Sequence, residues 1–516
     1  MRRGNAKWPL AILLLMIAAI AGCSAAETGG PPGVQRDGAE KVLTIGNTID
    51  NVTFDVHDHG NTQVESIHVN LFEYLVKKDG SDPSKKLPGL AVSWEQLDDM
   101  TWRFKLREGV KFHNGDPFTS ADVKFTLERV AQDPSLIDYS SYSSIKQVNV
   151  IDDFTVDIVT KQPDPILLAR LSRISSGILP EKYFKEKGVE GFNAAPVGTG
   201  PYKFVKWVKD DRVELVKNTE YWGGDPKWDR LVFRTIPEAT TRISELLTGA
   251  IDIAVIIPPA DIQRVKDSGT TYYTDLESAR VQSLLVRQTP GTVTANPKVR
   301  EAIELAIDKQ AIVDSVLGGA GVPTQEAIGP GILGHLPSLF NTNIYNVERA
   351  KQLLAEAGYP DGVELTLSSP ASTKEVAEAI AAYLTEANFK VKLEILEQTV
   401  YKQRDNSNTF KELALQGKGN SMFEAPLPLE IFITENAKGQ TDYSNPEVDR
   451  LLKAAAVNMD DKERESQYQK VQQILAVDRP RIFLYQNKFN YGVNNRIGFT
   501  PRADEMFYAE DIVLKQ

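Results

Sequence analysis

A chain of 516 residues with a single cysteine cannot close a disulfide on itself or build a thiolate metal cluster. Histidine is nearly as scarce, with five in the whole chain, so little of the usual acid–base machinery is present. No Gly-x-Ser-x-Gly elbow, His-Glu-x-x-His helix or nucleophilic cysteine marks a surface hydrolase or transferase. Carboxylates are plentiful, and composition alone leaves a two-carboxylate glycosidase open. A basic excess is also missing: 59 Lys and Arg stand against 70 Asp and Glu, a formal net charge of −11. That balance argues against nucleic acid as a partner, because phosphate binding needs clustered cations. It is compatible with cationic or zwitterionic solutes. With 41% hydrophobic and 25% charged residues, the chain is neither disordered, fibrous nor multispanning, and its length predicts two or three domains.

Beyond residue 21 there is no long apolar run. Leu10 to Ala21 is apolar throughout and follows Arg2, Arg3 and Lys7. As a helix it would be about 18 Å long, short of the roughly 30 Å hydrocarbon layer of a bilayer. Residues 1–22 therefore read as a signal peptide. Ile20-Ala21-Gly22-Cys23 resembles a bacterial lipobox, which makes Cys23 the lipid anchor and the mature N-terminus. Residues 23–40, with Gly29-Gly30-Pro31-Pro32-Gly33, read as a flexible tether.

From residue 41 onward the chain has clear periodicity. Lys41 to Ile45 suits a buried strand, and Trp102, Phe104 and Leu106 alternate with cations, as do Phe154, Val156 and Ile158 with polar residues. Together these predict a half-exposed antiparallel sheet. Thr119 to Asp122 has the spacing of a capping box, with Phe118 and Val123 as a staple. Asn296-Pro297 and Ser444-Asn445-Pro446 open helices, and Asn346 to Ala357 places one apolar face before Gly358 and Pro360. Helices and strands alternate between about residues 230 and 400, the pattern of α/β layers with partly parallel sheets. Gly198-Thr199-Gly200-Pro201-Tyr202 lacks the Gly-Lys-Ser/Thr ending of a phosphate loop and reads as a turn. Trp94 and Trp102 read as core aromatics, and Tyr221-Trp222 as packing residues.

Several blocks resemble the extracellular solute-binding proteins of family 5, which serve peptide and nickel ABC importers. They are Leu71 to Leu75, Pro88 to Trp94, Thr101 to Gly115 with Phe118 to Val123, Val197 to Phe204 with Tyr221-Trp222, Asn296 to Ile303, and Ala357 to Pro360. The resemblance implies an α/β, two-lobed, periplasmic-binding-protein-like fold of type II, with an extra subdomain in the first lobe. Lobe I would hold residues 41–289 and 488–516, with the extra subdomain at 80–204, and lobe II residues 290–487. The lobes would close on a solute between them.

The same resemblance places candidate ligand contacts. After Asp55-Val56-His57, where the family commonly has Pro for Val56, it implicates His59, Gly60, Asn61 and Thr62, mainly through backbone. On the opposite wall it implicates Gly419, Asn420, Ser421 and Glu424, the last replacing an aspartate that pairs with a peptide's ammonium. Arg404 is a candidate for a ligand carboxylate. His57, Asp58, His59 and His68 lie close enough to suggest a metal, but adjacent side chains on a strand point to opposite sides, and neither metal nor cofactor is assigned. The expected role is that of a monomeric, non-enzymatic lipoprotein outside the cytoplasm. It would capture a short peptide and deliver it to ABC permease subunits. The alternative is the same transport role for an opine, a glutathione-like conjugate, another amino-acid derivative or chelated nickel. Uptake and peptide sensing would use one cleft.

Overall fold

The computed structural model describes residues 40–515, so the expected signal peptide, Cys23 and nearly all of the expected tether lie outside the described residues. Among the described residues, no helix is long and apolar enough to cross a membrane.

The alternation at Trp102 to Leu106 produces the strand Thr101–Leu106, with Phe104 and Leu106 buried and Lys105 exposed. It pairs antiparallel with Ala91–Asp98 and Thr155–Thr160, and Ile145–Asp152 completes a four-stranded sheet. Arg103 on one strand binds Asp157 on the next through two nitrogens, at 2.7 and 2.8 Å. The helix Ser120–Gln132 covers one face of the sheet. Its start is the capping box expected from Thr119 and Asp122, and Phe118 and Val123 are both buried. Val123 and Leu127 meet Phe104, Val156 and Ile158 in a core of their own, against which Trp94 and Trp102 pack half-buried.

The main sheet has eleven strands and mixed directions. Val42–Asn47 runs parallel to Arg230–Thr235 and Ile253–Val255, and Val363–Pro370 runs parallel to Phe389–Leu396 and Leu413–Lys418. Two long antiparallel strands, Thr271–Val286 and Arg481–Asn494, join these two parallel groups. Their far halves belong to different cores. Tyr491 and Val493 pack with Leu43, Ile45 and Leu231, whereas Leu284, Val286, Ile482 and Leu484 pack with Ile303, Leu367 and Leu415. Their pairing is irregular between Glu277 and Val281, where the chain passes from one core to the other. Thr271–Val286 thus enters the second core upstream of the lobe boundary expected at residue 289.

Helix caps follow the residues that predicted them. Asn296, Asn346 and Asn445 each accept a backbone N–H at the start of Pro297–Ala306, Val347–Glu356 and Pro446–Ala455. Gly358 ends the second of these with φ +96°.

Near the second core, Glu326 is fully buried, and burial pushes its carboxyl up to about 8 against donors at Leu336 and Gln472. Both of those donors bind Oε2, at 2.9 and 2.8 Å, while Oε1 lies 2.7 Å from Nδ1 of His335. Burial also lowers the pKa of His335, so a protonated Oε1 donating to a neutral imidazole satisfies every group. The unfolded carboxyl ionises near 4.5, so folding above that pH requires proton uptake, and stability falls as pH rises from 4.5 to about 8. Urea unfolding at pH 5 and pH 8 should show a loss on the order of 3 kcal/mol from this group. Glu326→Gln should remove that part of the slope.

Candidate ligand-binding site

The segment before the first helix is held by buried charge. Asp55 accepts both terminal nitrogens of Arg129, at 2.8 and 2.6 Å, and Arg129 also donates to Nδ1 of His57. His68 donates to the Thr53 carbonyl, and the His59 ring stands edge-on against His68 at 4.7 Å. Burial holds His57 down to about 3 and His68 to about 4, and it lowers His59 as well, so all three imidazoles are neutral. Among the described residues, no group of three or more His, Cys, Asp or Glu is arranged to hold a metal ion.

Of the four residues expected here, His59 is buried, Thr62 is half-buried, and Gly60 and Asn61 are exposed. Asn61 caps the helix Thr62–His68 through its side chain, which accepts from Gln63. Below that helix lies Arg173, which donates to Asp138 at 2.9 Å and stands 3.6 Å from Glu65. Burial works against the Arg173 charge, but Asp138 and Glu65 outweigh it and raise its pKa. Lys78 completes the group: burial draws its amine down to about 8, and Asp504 and Glu65 pull the other way.

Lys78 also connects to the opposite wall. Its amine donates to the Ser421 carbonyl at 2.6 Å and lies 5.5 Å from the centre of the Phe423 ring. The loop it meets leaves the strand Leu413–Lys418. Asn420 braces this loop, its Nδ2 donating to the Glu424 carbonyl at 2.9 Å while the Glu424 N–H points back at its Oδ1. The side chain of Asn420 is therefore occupied within the loop, which limits what it can offer a ligand. Phe423 sits at φ +55°, a strained setting for a bulky residue. Gly419 lets Arg280 lie against the chain, since a Cβ there would come 3.2 Å from the guanidinium. Met422 is buried against Ile166 and Ala169 of the smaller-sheet body.

Glu424 is half-buried. Burial raises its carboxyl pKa, and the charges of Lys86, Arg464 and Arg170 oppose the rise. Arg404 lies on the helix Gln398–Asn406 and gives Nη1 to Glu394 at 2.8 Å.

Next to the loop lies a cavity of about 370 Å³, within the range of ligand pockets. Lys161, Asp164 and Arg170 line it from one side, and Pro426, Glu430 and Ala456 from the other. Sequence reading missed the charged residues of this lining, as it missed Lys78 and Arg173, because each reads as an ordinary surface charge. A signal existed only in the Pro-rich run Pro163-Asp164-Pro165, which breaks regular structure beside the cavity.

The turn at Gly198 to Tyr202 is structural. Gly200 and Tyr202 donate to the carbonyls of Leu71 and Asn70, and His113 donates to the Gly200 carbonyl. Tyr221 and Trp222 donate to the buried carboxylate of Glu73, at 2.8 and 2.6 Å.

Residues 86–440 match the model of the bacterial extracellular solute-binding proteins, family 5 Middle. The chain is 30% identical over 522 residues to the glutathione-binding protein GsiB of Pectobacterium atrosepticum, covering 96% of this chain and 98% of that one. Its fold is similar to that of the periplasmic binding protein DppA of Helicobacter pylori, solved with the peptide STSA. The TM-score is 0.80, with 25% identity and 92% and 98% of the two chains covered. It is similar too to AgaA from A. tumefacien R10, solved with agropinic acid, with TM-score 0.79, 25% identity and coverage of 92% and 99%. On the family match and this full-length kinship, the chain belongs to the bacterial extracellular solute-binding proteins of family 5.

Proposed function

We propose that the protein captures a short peptide between its lobes and hands it to the permease of an ABC importer, anchored by a lipid on Cys23 and working as a monomer. Family members are extracytoplasmic substrate-binding proteins and not enzymes. The observation that carries the peptide reading is the cavity of about 370 Å³ whose two walls come from differently cored parts of the chain. A solute touching both walls favours the closed arrangement over an open one, and closure gives the permease a distinct surface to recognise. Outside the lining of that cavity, His59 to Thr62 would present backbone to the solute from one side of the cleft. Gly419, Asn420 and Ser421 would do so on the other, with Glu424 receiving the peptide's ammonium. DppA, solved with a peptide, supports this reading at 25% identity.

A second solute class has its own support. GsiB is named for glutathione and AgaA was solved with agropinic acid, so an amino-acid conjugate would use the same cleft. Mass spectrometry of the compounds released when protein purified without refolding is denatured separates the two readings. Peptides should be recovered, and recovery of non-peptidic compounds alone would exclude the first. Glu424→Gln should weaken binding of an amine-bearing solute by about 1–3 kcal/mol, as a half-buried charged partner is lost. Calorimetry reads this directly, and an unchanged Kd removes Glu424 from the site.

A further inference from the structure

We infer that the chain carries its own clasp, which holds the two walls together without a solute. It consists of the Lys78 amine on the Ser421 carbonyl and of Met422 seated on Ile166 and Ala169. The clasp goes beyond capture and takes from that reading only that the two sides can part.

Lys78 ends the strand Val76–Lys78, whose Val76 packs in the core of the smaller sheet. The lysine is 8% exposed, and among the described residues its amine makes one hydrogen bond, the 2.6 Å contact with Ser421. Glu65 and Asp504 act on it through charge, without an ion pair among the described residues. A buried ammonium needs a partner, and here the partner belongs to the opposite wall. A hydrogen bond to a charged group is worth more than one between neutral groups, so Lys78 favours the joined arrangement.

The loop that meets Lys78 is built to present both parts of the clasp. Phe423 and Ala425 are rooted in the core of Val281, Phe432 and Phe483. Met422, between Ser421 and Phe423, turns the other way: it is 2% exposed and clusters with Ile166 and Ala169 of the smaller-sheet body. The change of direction falls at Phe423, whose φ of +55° is unfavourable for a bulky side chain. Such a conformation persists only where its surroundings over-determine it. Asn420 supplies the brace, with Nδ2 donating to the Glu424 carbonyl at 2.9 Å and its own carbonyl accepting the Phe423 N–H at 3.2 Å. The strained turn thus sends consecutive side chains into two different bodies, and Met422 gains its apolar burial only when those bodies meet. Ile166 also lines the cavity, so the clasp closes at the cavity's edge. A solute enters while the walls are apart, and the clasp therefore sets the fraction of time the site is open to it.

The test needs no solute, so its failure is distinct from a failure of peptide capture, which the released compounds decide. The full mature chain, with Cys23→Ser so that only the labels react, is unfolded, freed of bound compounds and refolded. Dyes at Leu97→Cys and Val477→Cys report the separation of the two bodies by single-molecule energy transfer. Both positions are exposed, one on a strand of the smaller sheet and one near the end of the helix Asp461–Asp478. The labelled protein with the clasp intact should be mostly closed. Lys78→Met and Met422→Ser should each lower the closed-to-open ratio by about tenfold or more, the scale of one charged hydrogen bond or one buried apolar side chain. Met422→Leu keeps the apolar contact and should stay within about threefold of the intact clasp. Thermal melting confirms that each variant is folded, and Met422→Ser, a loop substitution, carries the test if Lys78→Met is not. A folded Lys78→Met or Met422→Ser protein with an unchanged ratio would overturn the clasp. So would an intact protein that is mostly open without solute, or a Met422→Leu protein as open as Met422→Ser.

Discussion

Glu304→Ala should lower the unfolding free energy by about 3–5 kcal/mol, because it leaves the fully buried Lys309 without its counter-charge and takes a partner from the half-buried Arg479. Glu304 is 3% exposed, and it accepts from Lys309 at 3.0 Å, from Arg479 at 2.7 Å and from Gln325 at 3.2 Å. Burial alone would raise its carboxyl pKa, but Lys309 and Arg479 together hold it below the ordinary value. Its contribution is therefore present above the unfolded carboxyl pKa and is lost as pH falls through the depressed folded one. Lys309 is fully buried and also donates to the Thr324 carbonyl. Lys309→Met should be milder, since Glu304 keeps Arg479 and Gln325 and no buried charge is left alone. Urea unfolding of the two variants checks the order. Equal costs would mean that the carboxylate is not the hub.

Gly198→Ala should cost more than about 4 kcal/mol and should leave little folded protein. The obstacle is backbone, which cannot swing aside: a Cβ at residue 198 would lie 2.1 Å from the Leu71 carbonyl oxygen and 2.8 Å from the Phe72 ring. That approach joins the turn to residues 70–72, through Gly200 to Leu71 at 2.9 Å and Tyr202 to Asn70 at 3.0 Å. Gly60→Ala is the matched control, with its nearest atom 3.9 Å away, and should fold normally. Circular dichroism and thermal melting of the two variants decide the point. A normally folded Gly198→Ala protein would show that the turn moves with ease.

Local readings succeeded where the physics is local. The capping box at Thr119, the asparagine caps at residues 296, 346 and 445, and the stop at Gly358 depend on backbone donors and acceptors within one turn, so nearby residues suffice to predict them. Alternation at Phe104 and Leu106 is equally local, because a strand shows successive side chains to opposite faces. Reading the site went less well. Arg404 looked available for a carboxylate, yet Glu394 lies beside it on a neighbouring strand. The Asn61 side chain serves as a helix cap, which leaves its backbone for the contact expected of it. Lys78, Arg173 and Glu430 carried no signal at all. Each became notable only when burial removed water from it and a partner far along the chain either appeared or did not.

Order along the chain therefore determined the kind of elements, the turn at residues 198–202 and the family, since these depend on spacing and on short-range hydrogen bonds. Which charges face a shared cavity was decided only by the tertiary structure. Pairing of Lys78 with the Ser421 carbonyl spans more than three hundred positions, and the opposition of Arg170 and Glu430 is similarly remote. The reason is that a charge acquires its role from desolvation and from its nearest opposite, and both are properties of packing in three dimensions.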